Sequence, residues 1–120
     1  MRVGVTRQLP LDAEKLLAPF FKSVSVVEKG RPLNETELCD LVRDTDVLIC
    51  QLTDSINENL LKTAPKLKHV CTFSTGVDHI HLTALKNSGI SLSHTPGVLT
   101  EATANLAWAL ILNCARRLKP

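Results

Sequence analysis

Apolar and polar positions along the chain alternate between two textures. Short apolar runs rich in β-branched residues are followed by longer stretches in which apolar residues recur at three- and four-residue steps. That is the pattern of strand-helix units feeding a parallel sheet. The first strand is expected over Arg2 to Thr6, and its helix from about Asp12 to Phe20, with Leu16, Leu17 and Phe20 at helical spacing. Ser23 to Glu28 predicts a second strand, which leads through Gly30-Arg31-Pro32 to a helix opening at Asn34. There Asn34 and Glu37 stand in the Asn-x-x-Glu arrangement of a capping box, with Leu38, Leu41 and Val42 as the buried stripe. Asp46 to Cys50 is almost unbroken apolar sequence, as expected of a central parallel strand covered by helices on both faces. Ser55 to Ala64 predicts a helix closed by Pro65, and Lys68 to Phe73 a fourth strand. After the loop Ser74-Thr75-Gly76-Val77-Asp78, a short helix from Leu82 to Asn87 ends at Ser88-Gly89, where glycine can turn left-handed. Ile90 to Ser93 makes the fifth strand. Five such units fit an α/β, flavodoxin-like doubly wound parallel sheet.

The texture changes after His94-Thr95-Pro96-Gly97. Thr100 to Leu118 reads as one long helix with Leu106, Ala107, Leu110, Ile111, Cys114 and Leu118 at helical spacing. Ala102, Ala104, Trp108, Ala109, Leu112 and Ala115 widen its apolar surface beyond one stripe, so a sheet is expected to cover only part of it. The sequence ends at Arg116-Arg117-Leu118-Lys119-Pro120, where a further element is expected to begin. Two segments result: a sheet domain over residues 1–96, and a hinge with its helix over residues 97–120.

Composition narrows the classes of function. A chain of 120 residues, 44% hydrophobic and 22% charged, suffices for one packed core. Its net charge of +2 is spread without a basic run, and its four aromatic residues, Phe20, Phe21, Phe73 and Trp108, make no stacking platform, which argues against a nucleic-acid partner. Cys39, Cys50, Cys71 and Cys114 stand far apart in apolar surroundings with no metal-ligand spacing, and read as buried reduced thiols. Neither a signal-peptide stretch nor a membrane span is expected, since charge appears by Asp12 and the last helix is interrupted by Asn105 and Asn113. A reducing, cytoplasmic setting fits both observations.

Ligands of such sheets bind at the carboxyl ends of strands, so the loop after the fourth strand is the first candidate site. Gly76 there allows close backbone approach to a small anion, and successive N–H groups can form an anion-binding nest. An isolated glycine of this kind more often serves only as a turn. Asp78 is better placed to cap the next helix than to act as a base, and Asp54 to serve a turn or helix start. Leu52 and Thr53, beside Asp54, are the expected cleft-lining residues. The histidines, His69, His79, His81 and His94, form no nucleophile-base-orienter set, and no metal site is expected. Thr100 is expected to be the N-cap of the long helix, and Arg116 and Arg117 to complement its C-terminal dipole. The five glycines are too scattered for a G-x-G-x-x-G turn.

Three stretches carry a family resemblance: Met1-Arg2-Val3-Gly4-Val5-Thr6-Arg7, Ser74-Thr75-Gly76-Val77-Asp78-His79-Ile80, and Thr95-Pro96-Gly97-Val98-Leu99-Thr100-Glu101-Ala102-Thr103-Ala104. Together they resemble the D-isomer-specific 2-hydroxyacid dehydrogenases, nearest the glyoxylate and hydroxypyruvate reductase branch. The resemblance spans this chain but only the first part of the family's chain. It implies a substrate-binding lobe followed by a long interlobe helix into a dinucleotide-binding lobe, which carries the family's glycine fingerprint and its catalytic arginine, glutamate and histidine. It further implies that the Thr75 and Gly76 amides bind a substrate carboxylate, and that Thr103 lies near the nicotinamide of NAD or NADP. Thr75 stands where that branch often has valine, and His81 where many members have aspartate. The implied substrate is a small 2-oxo acid, reduced to a D-2-hydroxy acid. No catalytic residue of the family matches here, so this chain alone is expected to bind no cofactor and to be inactive. The alternative is a stand-alone flavodoxin-like binding module whose exposed helix, residues 100–118, docks a second copy or a missing lobe.

Overall fold

Five strands alternate with five helices in the computed structural model, which describes residues 1–118. The last two residues of the 97–120 segment, Lys119 and Pro120, lie outside the described residues. The order is β1 (Arg2–Val5), α1 (Ala13–Leu17), β2 (Ser23–Val26), α2 (Glu35–Val42), β3 (Val47–Cys50), α3 (Glu58–Lys62), β4 (His69–Thr72), α4 (Leu82–Asn87), β5 (Ser91–Ser93) and α5 (Thr100–Arg116). All pairings are parallel and the strand order is β2-β1-β3-β4-β5, the flavodoxin-like doubly wound topology. The registers Val5 with Ile49 and Cys50 with Thr72 bring the carboxyl ends of β1, β3 and β4 to one edge.

The sheet is packed unequally on its two faces. One face buries Leu48, Cys50 and Val70 against Leu38 and Val42 of α2, Leu60 and Leu61 of α3, and Ala84 and Leu85 of α4. The other buries Val3, Val5 and Val47 with Leu17 and Phe21 from α1 and the segment after it. On β4, Val70 and Thr72 point into the first core, while His69 and Cys71 remain half-buried on the second face. There His69 bridges Ser91 and Ser93 of β5 through its two ring nitrogens, each at 2.7 Å.

Local sequence signals fix several boundaries. The Asn34 side chain accepts from the Glu37 amide and the Glu37 carboxylate accepts from the Asn34 amide, closing the expected capping box. Gly89 takes a φ of +67° at the end of α4, the left-handed stop expected of it. α1 is shorter than the expected run to Phe20, with Asp12 as its side-chain N-cap.

Three expectations are corrected. α3 begins at Glu58, not Ser55, because Ile56 forms a backbone bridge with Ile80 and Asn57 caps the helix. The N-cap of α5 is Leu99; Thr100 is already helical, and its hydroxyl makes no capping bond. Cys114 is exposed and Cys39 and Cys71 are only half-buried, so Cys50 alone of the four fits the buried-thiol reading.

α5 departs furthest from expectation. Its wide apolar surface predicts partial cover by the sheet, yet none of its residues is buried. Trp108 is 63% exposed, with Leu106, Leu110, Ile111 and Leu112 all more than half exposed. A helix of 17 residues is about 25 Å long. Its projection raises the radius of gyration to 17.6 Å, against about 14 Å for a globular chain of this length. No helix among the described residues is long and apolar enough to cross a membrane.

Candidate functional site

A cavity of about 430 Å³ opens at the carboxyl edge of the sheet, between the loops that follow β3 and β4. Leu52 comes from the β3 loop, Phe73, Ser74, Thr75, Gly76, Asp78 and His79 from the β4 loop, and Leu99 from the entrance of α5. Its position, one strand from the β1/β3 switch point, is where sheets of this winding place ligands. Leu52, Phe73 and Leu99 supply apolar walls with roughly half or more of their surface exposed, and the β4 loop supplies the polar groups.

The β4 loop is held by hydrogen bonds from three directions. The Thr95 amide donates to the Ser74 carbonyl at 3.1 Å. His94 Nδ1 lies 2.9 Å from the Thr75 carbonyl, and Ser74 Oγ donates to the Gly76 carbonyl at 2.7 Å. Beneath the loop the buried Thr72 hydroxyl lies 2.7 Å from Ser74 Oγ and 2.9 Å from His79 Nε2. The far end of the loop is tied down where the Ile56 amide donates to the His79 carbonyl and the His81 amide to the Ile56 carbonyl, each at 2.9 Å. Among the described residues the amides from Ser74 through His79 take no partner, and those of Thr75 and Gly76 belong to residues that line the cavity. Such a run of donors suits a small carboxylate.

Electrostatics around these donors are mixed. Among the described residues no Lys or Arg lines the cavity, and Asp78 does. A Cβ built on Gly76 would lie 3.6 Å from Asp78 Oδ2, an ordinary contact, and Gly76 is not among the positive-φ residues. The glycine is therefore not demanded by the turn, and what its missing side chain leaves open is space next to the amides. Burial pushes the His79 imidazole below its ordinary pKa, with Asp54 and Asp78 acting in the opposite direction. Burial also pushes the Cys50 thiol, at the end of β3, up to about 12, which leaves it protonated and unreactive near neutrality.

Thr75, Gly76 and Leu52 thus meet at one cavity, while the other expected site residues lie elsewhere. Thr53 faces a separate hollow with Leu33, Leu38 and Asn57, and its hydroxyl accepts from Arg7 Nη2 at 3.2 Å. Leu52 and Thr53, adjacent in the turn after β3, line different hollows. Thr103 is exposed on α5, one turn beyond Leu99, and is not part of the cavity wall. Asp78 does not cap α4, whose N-cap is His81 without a side-chain bond. Asp54 is turned inward: 3% exposed, it accepts on Oδ2 from the Gln51 amide at 2.8 Å and from Thr6 Oγ1. It belongs to the turn after β3 and not to a helix start.

Sequence reasoning passed over Phe73, Leu99 and His79 as site residues. An apolar Leu99 in a Pro-Gly hinge was a visible signal, because loops at strand ends seldom spend large apolar residues without a surface to meet. Among the described residues no cluster of three or more potential metal ligands occurs.

Comparison with known proteins gives a consistent set of matches. The family model described as D-isomer specific 2-hydroxyacid dehydrogenase, catalytic domain, matches residues 5–110. A glyoxylate reductase of Aeropyrum pernix is 42% identical over 97% of this chain, which covers 34% of that protein. The chain likewise spans about a third of the other curated relatives it matches, 35% in one case. Among solved structures, the TT0316 protein of Thermus thermophilus superposes with a TM-score of 0.88 at 42% identity, over 98% of this chain and 38% of that one. D-Lactate dehydrogenase of Aquifex aeolicus, complexed with NAD and lactic acid, superposes with a TM-score of 0.74 at 25% identity, over 98% of this chain and 34% of that one.

Proposed function

The chain belongs to the D-isomer specific 2-hydroxyacid dehydrogenase family, and from that premise we propose that it is the carboxylate-holding lobe of an NAD(P)-dependent reductase of small 2-oxo acids, glyoxylate or hydroxypyruvate. The observation that carries the reading is the pair of unpartnered amides at Thr75 and Gly76, with that of Val77 next in the chain, in the wall of a cavity shared with Leu52, Phe73 and Leu99. The amides donate to the substrate carboxylate, with Thr75 and Gly76 as the principal donors. The apolar walls hold the short carbon skeleton and exclude water from it.

Within this reading residues 1–96 form the substrate lobe, and residues 97–120 are the hinge and first helix of a dinucleotide-binding lobe. The cofactor supplies the hydride when bound, and the residues of this chain bind and orient the acid. Thr103, on the outer face of α5, would approach the nicotinamide only across an interface with that second lobe. With no basic side chain lining the cavity among the described residues and Asp78 opposing an anion, this lobe holds a carboxylate weakly by itself. It has neither a dinucleotide fingerprint of its own nor an acid/base group in the cavity matched to hydride transfer, so it is inactive alone. A cytoplasmic setting goes with its unpaired thiols.

α5, none of whose residues is buried, supports a second part of the reading, that this helix packs on another lobe or on a second copy of the chain. Light scattering behind size-exclusion chromatography checks the second copy: a dimer that reverts to monomer on replacing Trp108 and Ile111 by serine is expected if two chains pair. The test of function is NADH and NADPH oxidation with glyoxylate and hydroxypyruvate. The 120-residue chain should give no turnover. Residues 1–118 fused to the remaining two thirds of the Aeropyrum pernix glyoxylate reductase should turn over glyoxylate. A fusion that folds and binds NADH yet reduces neither acid would refute the assignment of this lobe.

A further inference from the structure

The loop that presents the amides is itself ordered by two imidazoles, and one assignment of hydrogen-bond directions satisfies all of its bonds. A carbonyl only accepts, so His94 Nδ1, 2.9 Å from the Thr75 carbonyl, must carry a proton. The single hydroxyl proton of Ser74 is committed to the Gly76 carbonyl, so its Oγ receives from the Thr72 hydroxyl. Thr72 has then spent its own proton and must accept from His79 Nε2. The relay runs His79 to Thr72 to Ser74 to the Gly76 carbonyl. In their neutral forms the two histidines are therefore opposite tautomers, His79 protonated on Nε2 and His94 on Nδ1.

These bonds act on the amides through the planarity of the peptide. Among the described residues no cis peptide bond occurs, so each loop N–H points opposite to the carbonyl of the preceding residue. Holding the Ser74, Thr75 and Gly76 carbonyls with Thr95 N, His94 Nδ1 and Ser74 Oγ therefore fixes the directions of the Thr75, Gly76 and Val77 N–H groups. We infer that His94 and His79 are positioning residues for carboxylate recognition: His94 directly, and His79 through Thr72 and Ser74, lock the peptide planes that aim the loop amides. His94 is not part of the cavity lining, and His79, which is, acts on the amides only through Thr72 and Ser74. This inference rests on the carboxylate-binding reading of the loop.

The gain is in preorganisation. An amide that is already aimed loses no further freedom when the ligand arrives, whereas a loop free to rotate its peptide planes must be ordered at the ligand's expense. Releasing the Thr75 carbonyl should weaken binding roughly tenfold, the scale of one net hydrogen bond.

The experiment is a glyoxylate titration of the ¹⁵N-labelled 120-residue chain, following the Thr75, Gly76 and Val77 amide resonances, with the imidazole ¹⁵N shifts recorded at about pH 8.5, two units above the ordinary histidine pKa. The expected result is saturable shifts at these amides, weakening of roughly tenfold in His94→Ala, and recovery to near the wild-type value in His94→Asn, which keeps a side-chain N–H donor. Imidazole spectra should show the Nε2–H form for His79 and the Nδ1–H form for His94. Wild-type binding that His94→Ala leaves unchanged, or a His79 protonated on Nδ1, overturns the positioning role while the carboxylate reading stands. A wild-type chain with no saturable shift at these amides overturns the carboxylate reading and the positioning role with it.

Discussion

Replacing Asp54 should destabilise the chain far more than its polar character and loop position suggest. The carboxylate is 3% exposed, and its Oδ2 accepts both the Gln51 amide and the Thr6 hydroxyl, linking the end of β1 to the turn after β3. In Asp54→Ala both donors lose their acceptor, the Thr6 hydroxyl in a buried place where water does not replace it and the Gln51 amide in a half-buried one. An orphaned buried donor costs about 1–3 kcal/mol, and removing the buried charge returns part of that, so the net loss should be about 2–5 kcal/mol. Set against a total stability of roughly 6–15 kcal/mol for a domain of this size, such a loss is large. Asp54→Asn keeps an oxygen acceptor but forfeits the charge-assisted share, for a smaller loss of about 1–2 kcal/mol. Urea unfolding followed by far-ultraviolet circular dichroism measures both. Trp108 fluorescence is a poor probe because that side chain stands in solvent on α5. An Asp54→Ala variant within about 0.5 kcal/mol of wild type, a margin typical of ordinary surface positions, would refute the reasoning.

Gly4→Ala should cost about 1–3 kcal/mol by overpacking, since the new Cβ would lie 2.9 Å from Thr45 Oγ1 and 3.2 Å from Leu41 Cδ1. Adding Thr45→Ala, which removes the closest atom, should return part of the loss in the same unfolding assay. Titration with a chromogenic disulfide near pH 8 should label Cys114 first, because it is exposed, and Cys50 last, because burial has pushed its thiol up to about 12; early labelling of Cys50 in the folded chain would contradict the packing of β3. His79 has a lowered native pKa, so the unfolded chain binds its proton more readily: stability should be full above the ordinary value of about 6.5, fall as pH drops from there towards the native pKa, and level off beneath it. Urea midpoints across that range should show this slope in the wild type and lose it in His79→Asn.

The elements most legible in the sequence were those whose causes are local. The capping box at Asn34 and Glu37 spans three residues, and the left-handed stop at Gly89 needs only the absence of a side chain, so both could be read directly. The alternation of short apolar runs with amphipathic segments carried the doubly wound sheet, because period and length are properties of the segment itself. The loop Ser74 to Asp78 could be marked as a candidate from its place after a strand, and Thr75, Gly76 and Leu52 line one cavity there.

What failed to read correctly depended on partners distant along the chain. Asp54 was legible as a turn or helix-start residue and does serve the turn, but its buried bond from Thr6, 48 residues earlier, was not. Ile56 looks helical until its backbone bridge to Ile80 is known, and that bridge moves the start of α3. Leu52 and Thr53 are indistinguishable as cleft residues until the turn after β3 places them in different hollows. The protonation of His79 and His94 is likewise set by carbonyls and hydroxyls gathered from β4, its loop and the segment after β5. The sequence by itself determined the periodic elements and their local stops, because those follow from side-chain spacing and backbone freedom. Only the tertiary structure decided which polar atoms face one another, because hydrogen-bond partners are chosen by proximity in space, and a linear pattern does not encode that proximity.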